Sequence, residues 1–89
     1  MGFTLYREVS FLFKDDQNPK EHIENKIYEF RVMNKITQSE LSKSVGVSRQ
    51  TIIALEKQHY TPSLMLGLKI ANFFNVSVED IFQLKVRGE

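Results

Sequence analysis

The sequence predicts a single all-α domain of five short helices, and three observations carry that reading. From Ile23 to Phe82 apolar residues recur three to five apart, the spacing that gathers one buried face on each helix. Thr37, Ser48, Ser63 and Ser77 each stand just ahead of such a run, where a hydroxyl can accept from the free N–H groups of a first helical turn. Glu40 and Asp80 follow two of these caps at the third position, so that the carboxylate can answer the cap with a second hydrogen bond. With 89 residues, of which 42% are hydrophobic and 26% charged, the chain can enclose one core and not two.

Ahead of the helices the period changes. Phe3, Leu5, Val9, Phe11 and Phe13 fall on one side, interrupted by Arg7, with Thr4, Tyr6, Glu8 and Ser10 on the other. That is the alternation of a strand. Asp15 to Pro19 then make a polar, turn-like break. A strand needs a partner for its backbone groups, and the tail offers one, because Phe82, Leu84 and Val86 alternate with Gln83, Lys85 and Arg87. The N-terminal strand is therefore expected to pair with the C-terminal one or with the same arm of a second subunit. The alternatives are an arm laid across a helical groove or one that is partly disordered. The expected division is an arm at 1–22, a helical domain at 23–84 and a tail at 85–89.

Helix by helix, the pattern predicts a first segment from about His22 to Met33, with Ile23, Ile27 and Phe30 facing the core. The second starts at Thr37, buries Leu41 and Val45, and stops at Gly46, which takes a positive φ without steric cost. Val47 leads to Ser48, which caps the third; Ile52 and Leu55 are its buried positions, and Arg49, Gln50 and Thr51 are left to point outward. Pro62 places the fourth start at Ser63, with a run through Phe74 that buries Leu64, Leu68, Ile70 or Ala71, and Phe74. Phe73 is then left for the core or for a subunit interface, where aromatic residues are enriched. Val78, Ile81 and Phe82 close the core from the fifth helix.

The stretch TQSELSKSVGVSRQTIIALE from Thr37 to Glu56, followed in order by YTPS, LKIANFFNVS and SVEDIF, resembles the lambda-repressor-like, Xre- or Cro-type helix-turn-helix family of transcriptional regulators. The resemblance runs from Ile23 to Leu84 and implies a five-helix DNA-binding domain whose third helix enters the major groove. There every base pair displays its own donor and acceptor pattern. It implies base contacts for Arg49, Gln50, Ile53 and Ala54. Arg49 can fork to guanine and Gln50 can pair with adenine through its amide, although Arg49 on a phosphate is the other reading. Ala54 and Ile53 can meet thymine methyl groups, unless Ile53 packs on a neighbouring helix. Gln38, at the start of the second helix, resembles the family's phosphate-clamp glutamine, and Ser48, Thr51, Lys57 and Lys43 are further phosphate candidates, the lysines being otherwise solvated. Arg31 and Glu56 coincide with a family ion pair that orients the recognition helix.

Three departures from the family pattern stand out. Lys35 occupies a position usually glycine, so the reversal before the second helix falls to Asn34 or to a different turn. Lys57 and Gln58 replace a usual Asn-Gly. Ser42 replaces a small alanine at a helix crossing and fits if its hydroxyl bonds back to the helix carbonyls.

Charge supports the same face. Between Arg31 and Thr61 the chain carries five Lys/Arg against two Glu, a net +3, and the remainder is −2. Such asymmetry is what an electrostatic footprint on DNA requires. The expected partners are double-stranded DNA and a second copy of the chain, with a protein partner gripped by the arm as the competing class, as in an antitoxin or adaptor. An enzyme is disfavoured: His22 and His59 stand singly, there is no Gly-rich phosphate loop and no nucleophile motif, and no cofactor or metal is expected. The chain has no cysteine, no bilayer-length apolar run and no leader pattern, which together predict a cytoplasmic protein without a membrane segment.

Overall fold

Two short strands, one from each end of the described residues, pair beside five helices in the computed structural model, which describes residues 20–87. The order is β1 (Glu21–Asn25), α1 (Ile27–Met33), α2 (Gln38–Val45), α3 (Arg49–Glu56), α4 (Leu64–Phe73), α5 (Val78–Ile81) and β2 (Phe82–Val86). The fold is thus predominantly helical with one two-stranded antiparallel sheet, in which Ile23 stands opposite Leu84 and Asn25 opposite Phe82. Phe3 to Phe13, the segment read as the N-terminal strand, lies outside the described residues.

The tail is a strand, as its alternation predicts, but its partner here is Glu21–Asn25, a segment assigned largely to the first helix. That helix starts at Ile27 rather than near His22. Asn25 explains the stop: its Oδ1 accepts the Ile27 N–H at 3.2 Å and its Nδ2 donates to the Leu55 carbonyl at 2.8 Å. A side chain that claims the first-turn amide competes with a helix running back through it. Gln58 completes the arrangement, accepting from the Asn25 N–H and donating to the Asn25 carbonyl, both at 3.0 Å. A glutamine amide thus satisfies the two backbone groups that β2 leaves free.

Every helix contributes at least one fully buried aliphatic side chain: Ile27, Leu41, Ile52 with Leu55, Ile70 and Ile81. Each such burial is worth roughly 1.5–3 kcal/mol before entropy is counted. On α4 the buried face differs from the expected one. Leu66, Gly67, Ile70 and Ala71 face inward, whereas Leu64 and Leu68 are 73% and 45% exposed. Ile70 and Ala71, expected as alternatives, are both buried, and Leu66 takes the place expected of Leu64 and Leu68; the choice of face follows from what α4 meets. Gly67 lies against Phe82, a ring that the sheet fixes in place.

Four helices close on a left-handed residue, at Lys35 (φ 56°), Gly46 (φ 78°), Gln58 (φ 63°) and Asn75 (φ 58°). Lys35 itself therefore makes the reversal expected of Asn34, whose φ is −95°. The bonds from Lys35 N–H to the Val32 carbonyl (3.1 Å) and from Ile36 N–H to the Arg31 carbonyl (2.9 Å) close the helix end in the Schellman pattern. A side chain in this conformation costs about 1–2 kcal/mol. Lys35→Gly is accordingly expected to stabilise the fold by about 1 kcal/mol and to raise Tm by roughly 4–8 °C in a thermal melt. An unchanged or lower Tm would show that the lysine side chain offsets the strain.

Candidate nucleic-acid interface

Caps at both helix starts fix the geometry of α2 and α3. Thr37 Oγ1 accepts the Glu40 N–H at 3.0 Å, and Glu40 returns the bond to the Thr37 N–H at 3.1 Å. Gly46 then turns the chain, and Ser48 Oγ accepts the Thr51 N–H at 3.2 Å. The Ser48 and Thr51 hydroxyls also lie 3.0 Å apart, so each already has a local partner. Ser42 Oγ donates to the Ser39 carbonyl at 2.8 Å, which lets a hydroxyl sit buried at the helix crossing.

Ile52 and Leu55 turn one face of α3 into the core, and that leaves the opposite face available. Ser48, Arg49 and Gln50 are exposed at its start, and Ile53 and Ala54 are half-buried further along. This is a short helical surface with two long polar side chains at its N-terminal end and small or apolar ones behind them. Its donors and acceptors suit base edges, and its apolar part suits methyl groups.

Glu56 holds this helix to its neighbours. Its Oε2 accepts from Arg31 Nε at 2.7 Å, while its Oε1 accepts from Arg31 Nη2 at 3.2 Å and from Gln38 Nε2 at 3.0 Å. Arg31 spends a further donor on the Ile36 carbonyl at 3.0 Å, and its guanidinium carbon lies 5.5 Å from the centre of the Tyr28 ring. Only 14% of the Arg31 side chain and 7% of the Glu56 side chain remain exposed. The hydrogen bond to Glu56 raises the Arg31 pKa above its ordinary value, burial works against it, and the charge of Glu56 adds to the rise. The Arg31–Glu56 pair thus joins α1, the turn after it, the start of α2 and the end of α3.

Beside that pair, Arg31, Thr37, Gln38, Ser39 and Arg49 border an open recess. It combines two guanidinium-bearing residues with hydroxyls and the free N–H groups of the α2 start, a composition suited to a phosphate oxygen. The structure therefore brings Gln38, Arg49 and Arg31 together and adds Thr37 and Ser39, which the sequence reading did not select. Their position flanking Gln38 at a capped helix start was the available signal. Lys43 is placed elsewhere, on a second recess with Lys69, Asn72 and Phe73. Lys57 caps the end of α3 and is exposed. Among the described residues no group of three His, Cys, Asp or Glu side chains could hold a metal ion.

A family model described as helix-turn-helix, HTH_3, matches residues 27–81. The HTH-type transcriptional regulator MJ0272 of Methanocaldococcus jannaschii is 55% identical over 60 residues, covering 67% of this chain and 91% of that protein. The HTH-type transcriptional regulator YgzD of Bacillus subtilis is 44% identical over 63 residues, covering 71% and 96% respectively. Among solved structures, the transcriptional regulator VanUg superposes with a TM-score of 0.63 over 76% of this chain and 91% of its own, at 23% identity, a likeness of fold.

Proposed function

The chain belongs to the helix-turn-helix family of transcriptional regulators, and from that premise we propose that it is a homodimeric repressor that reads a palindromic operator through α3. It carries a DNA-binding domain and is a regulator rather than an enzyme. The observation that best supports the finer reading is the exposed first turn of α3, where Arg49 borders the recess of Arg31, Thr37, Gln38 and Ser39 and Gln50 follows it, exposed, in the same turn. One surface then offers groups for base edges and, beside them, groups for the backbone.

In this reading Gln50 pairs with adenine and Arg49 with guanine or an adjacent phosphate. Ile53 and Ala54 meet thymine methyls. Gln38, Ser48, Thr51, Lys57 and Lys43 steady the backbone. Two copies related by a two-fold axis would set their α3 helices ~34 Å apart, giving half-sites one turn of DNA apart. Repression needs only occupancy of a promoter, which is the least demanding action for such a surface. No helix among the described residues is long and apolar enough to cross a membrane, and the proposed place of action is the cytoplasm.

Selection of sites from a random duplex library with the full chain, followed by salt titration on the selected site, tests this reading. An inverted repeat is expected to emerge. Its log affinity should fall linearly with log salt, with a slope of about −0.9 per phosphate neutralised. Enrichment of a non-repeated site would remove the palindrome, and an absence of enrichment would remove sequence-specific reading altogether.

A further inference from the structure

Asn25 is a buried polar residue, 8% exposed, on a backbone held from two sides. It pairs with Phe82 at the inner end of the sheet, and the next N–H, that of Lys26, donates to the Ile81 carbonyl at 2.8 Å. From that fixed base its Nδ2 reaches the Leu55 carbonyl, in the last turn of α3, at 2.8 Å. The same carbonyl accepts the Gln58 N–H at 2.9 Å, and the His59 N–H donates to the Ala54 carbonyl at 3.0 Å, so the bond lands on a Schellman helix end. Gln58 covers the contact. Besides its two bonds to the Asn25 backbone, its Oε1 accepts from Asn25 Nδ2 at 3.3 Å. It does so from the left-handed conformation (φ 63°), which a glutamine seldom adopts.

We propose that Asn25, covered by Gln58, is a positioning residue that sets the tilt of α3 and thereby decides how sharply Arg49 and Gln50 discriminate between bases; this rests on the reading of DNA by α3. The argument is geometric. Ile52 and Leu55 bury the helix, but apolar contact is non-directional and by itself permits a small rotation. Glu56 ties α3 to Arg31 and Gln38, yet it does so through its own side chain, whose torsions can absorb a tilt. The Asn25 bond ends on the helix backbone itself. It therefore resists the motion that the other ties allow. Arg49 lies seven positions before Glu56, ~10 Å along the axis, so that a tilt of ~5° about the last turn displaces the first by ~1 Å. A base-edge contact tolerates less, because N–H···O distances span only about 2.7–3.2 Å.

Two variants loosen the tie while leaving every apolar core side chain in place. Asn25→Ser keeps a hydroxyl that can accept the Ile27 N–H, as serine turns do, but is too short to reach Leu55. Gln58→Gly removes an exposed side chain from a conformation that glycine takes freely. Residual dipolar couplings of the α3 amides, measured without DNA, are expected to shift relative to those of α1 in Asn25→Ser. Base discrimination at the position facing Gln50, taken well below Tm as the ratio of Kd values for the selected site and a one-base variant, should fall at least about fivefold. Affinity for random duplex should stay within about twofold. Gln58→Gly should move both readouts the same way by a smaller amount, and it carries the test if the serine variant folds poorly. Unchanged couplings would overturn the proposal. So would shifted couplings with discrimination intact, and so would an equal loss on selected and random duplexes, which marks a general weakening of the fold. A natural chain without base preference would overturn the reading by α3 and this role with it, a failure told apart by couplings that still shift in the variants.

Discussion

Glu56→Ala is expected to destabilise the fold by about 3–5 kcal/mol, because it leaves a largely buried guanidinium without its carboxylate. For a domain of this size that lowers Tm by at least about 12 °C, at roughly 4–8 °C per kcal/mol, measured by circular dichroism. Three hydrogen bonds end on Glu56, so the loss reaches Gln38 as well as Arg31. Replacing the pair together with apolar residues of similar volume should recover most of the loss, since an ion pair and its apolar substitute are often near balance. A fall of under 1 kcal/mol in the single variant would mean that solvent reaches the pair more freely than its burial implies.

The same pair should contribute no pH dependence from the arginine side. The hydrogen bond to Glu56 raises the Arg31 pKa in the fold. A raised basic group stabilises fully below its unfolded value, and that stability is lost only as pH rises through the folded one. Both lie above the ordinary working range, so melts between about pH 6 and pH 10 should show no transition traceable to Arg31.

Gln50→Ala is expected to relax base preference at one position in each half-site by about 1–3 kcal/mol, or about 5- to 150-fold. Gln38→Ala should instead weaken selected and random duplexes by the same factor, as a phosphate contact does. Because Gln38 also donates to Glu56, its alanine variant will melt lower, and the two must be compared well below Tm. Equal losses of specificity would show that the assigned roles are wrong.

What the sequence made legible was whatever local chemistry decides alone. Thr37 with Glu40, Ser48, Ser63 and Ser77 with Asp80 mark helix starts through hydrogen bonds within four residues, and Gly46 marks an end through its own φ. The family pattern supplied the Arg31–Glu56 pair, which the structure forms. What was not legible depended on partners far along the chain. Glu21 to Asn25 has no strand signature strong enough to outweigh the helical spacing of Ile23, Ile27 and Phe30; it is a strand because Phe82–Val86 lies beside it. Leu64 and Leu68 share a helix face as plausibly as Leu66 and Ile70, and only the contacts of α4 with its neighbours select between them. Lys35 shows a third kind of limit. A residue that tolerates the left-handed conformation poorly can still be placed there when the backbone bonds on either side demand it.

The pairing of β1 with β2 also bears on how the molecule comes together. Most helix contacts join neighbours in the chain, but closing Asn25 on Phe82 brings together residues separated by almost the whole helical domain. The entropy of so long a loop opposes that step until the intervening helices have shortened it. The sheet is accordingly expected to form late, after the bundle that carries Gln58, the partner of Asn25, and φ-values near zero at Ile23 and Leu84 would check this. Substitutions in the strands would act chiefly on the rate of unfolding. On this expectation the two strands act as a latch whose strength governs how long the folded domain persists rather than how quickly it forms.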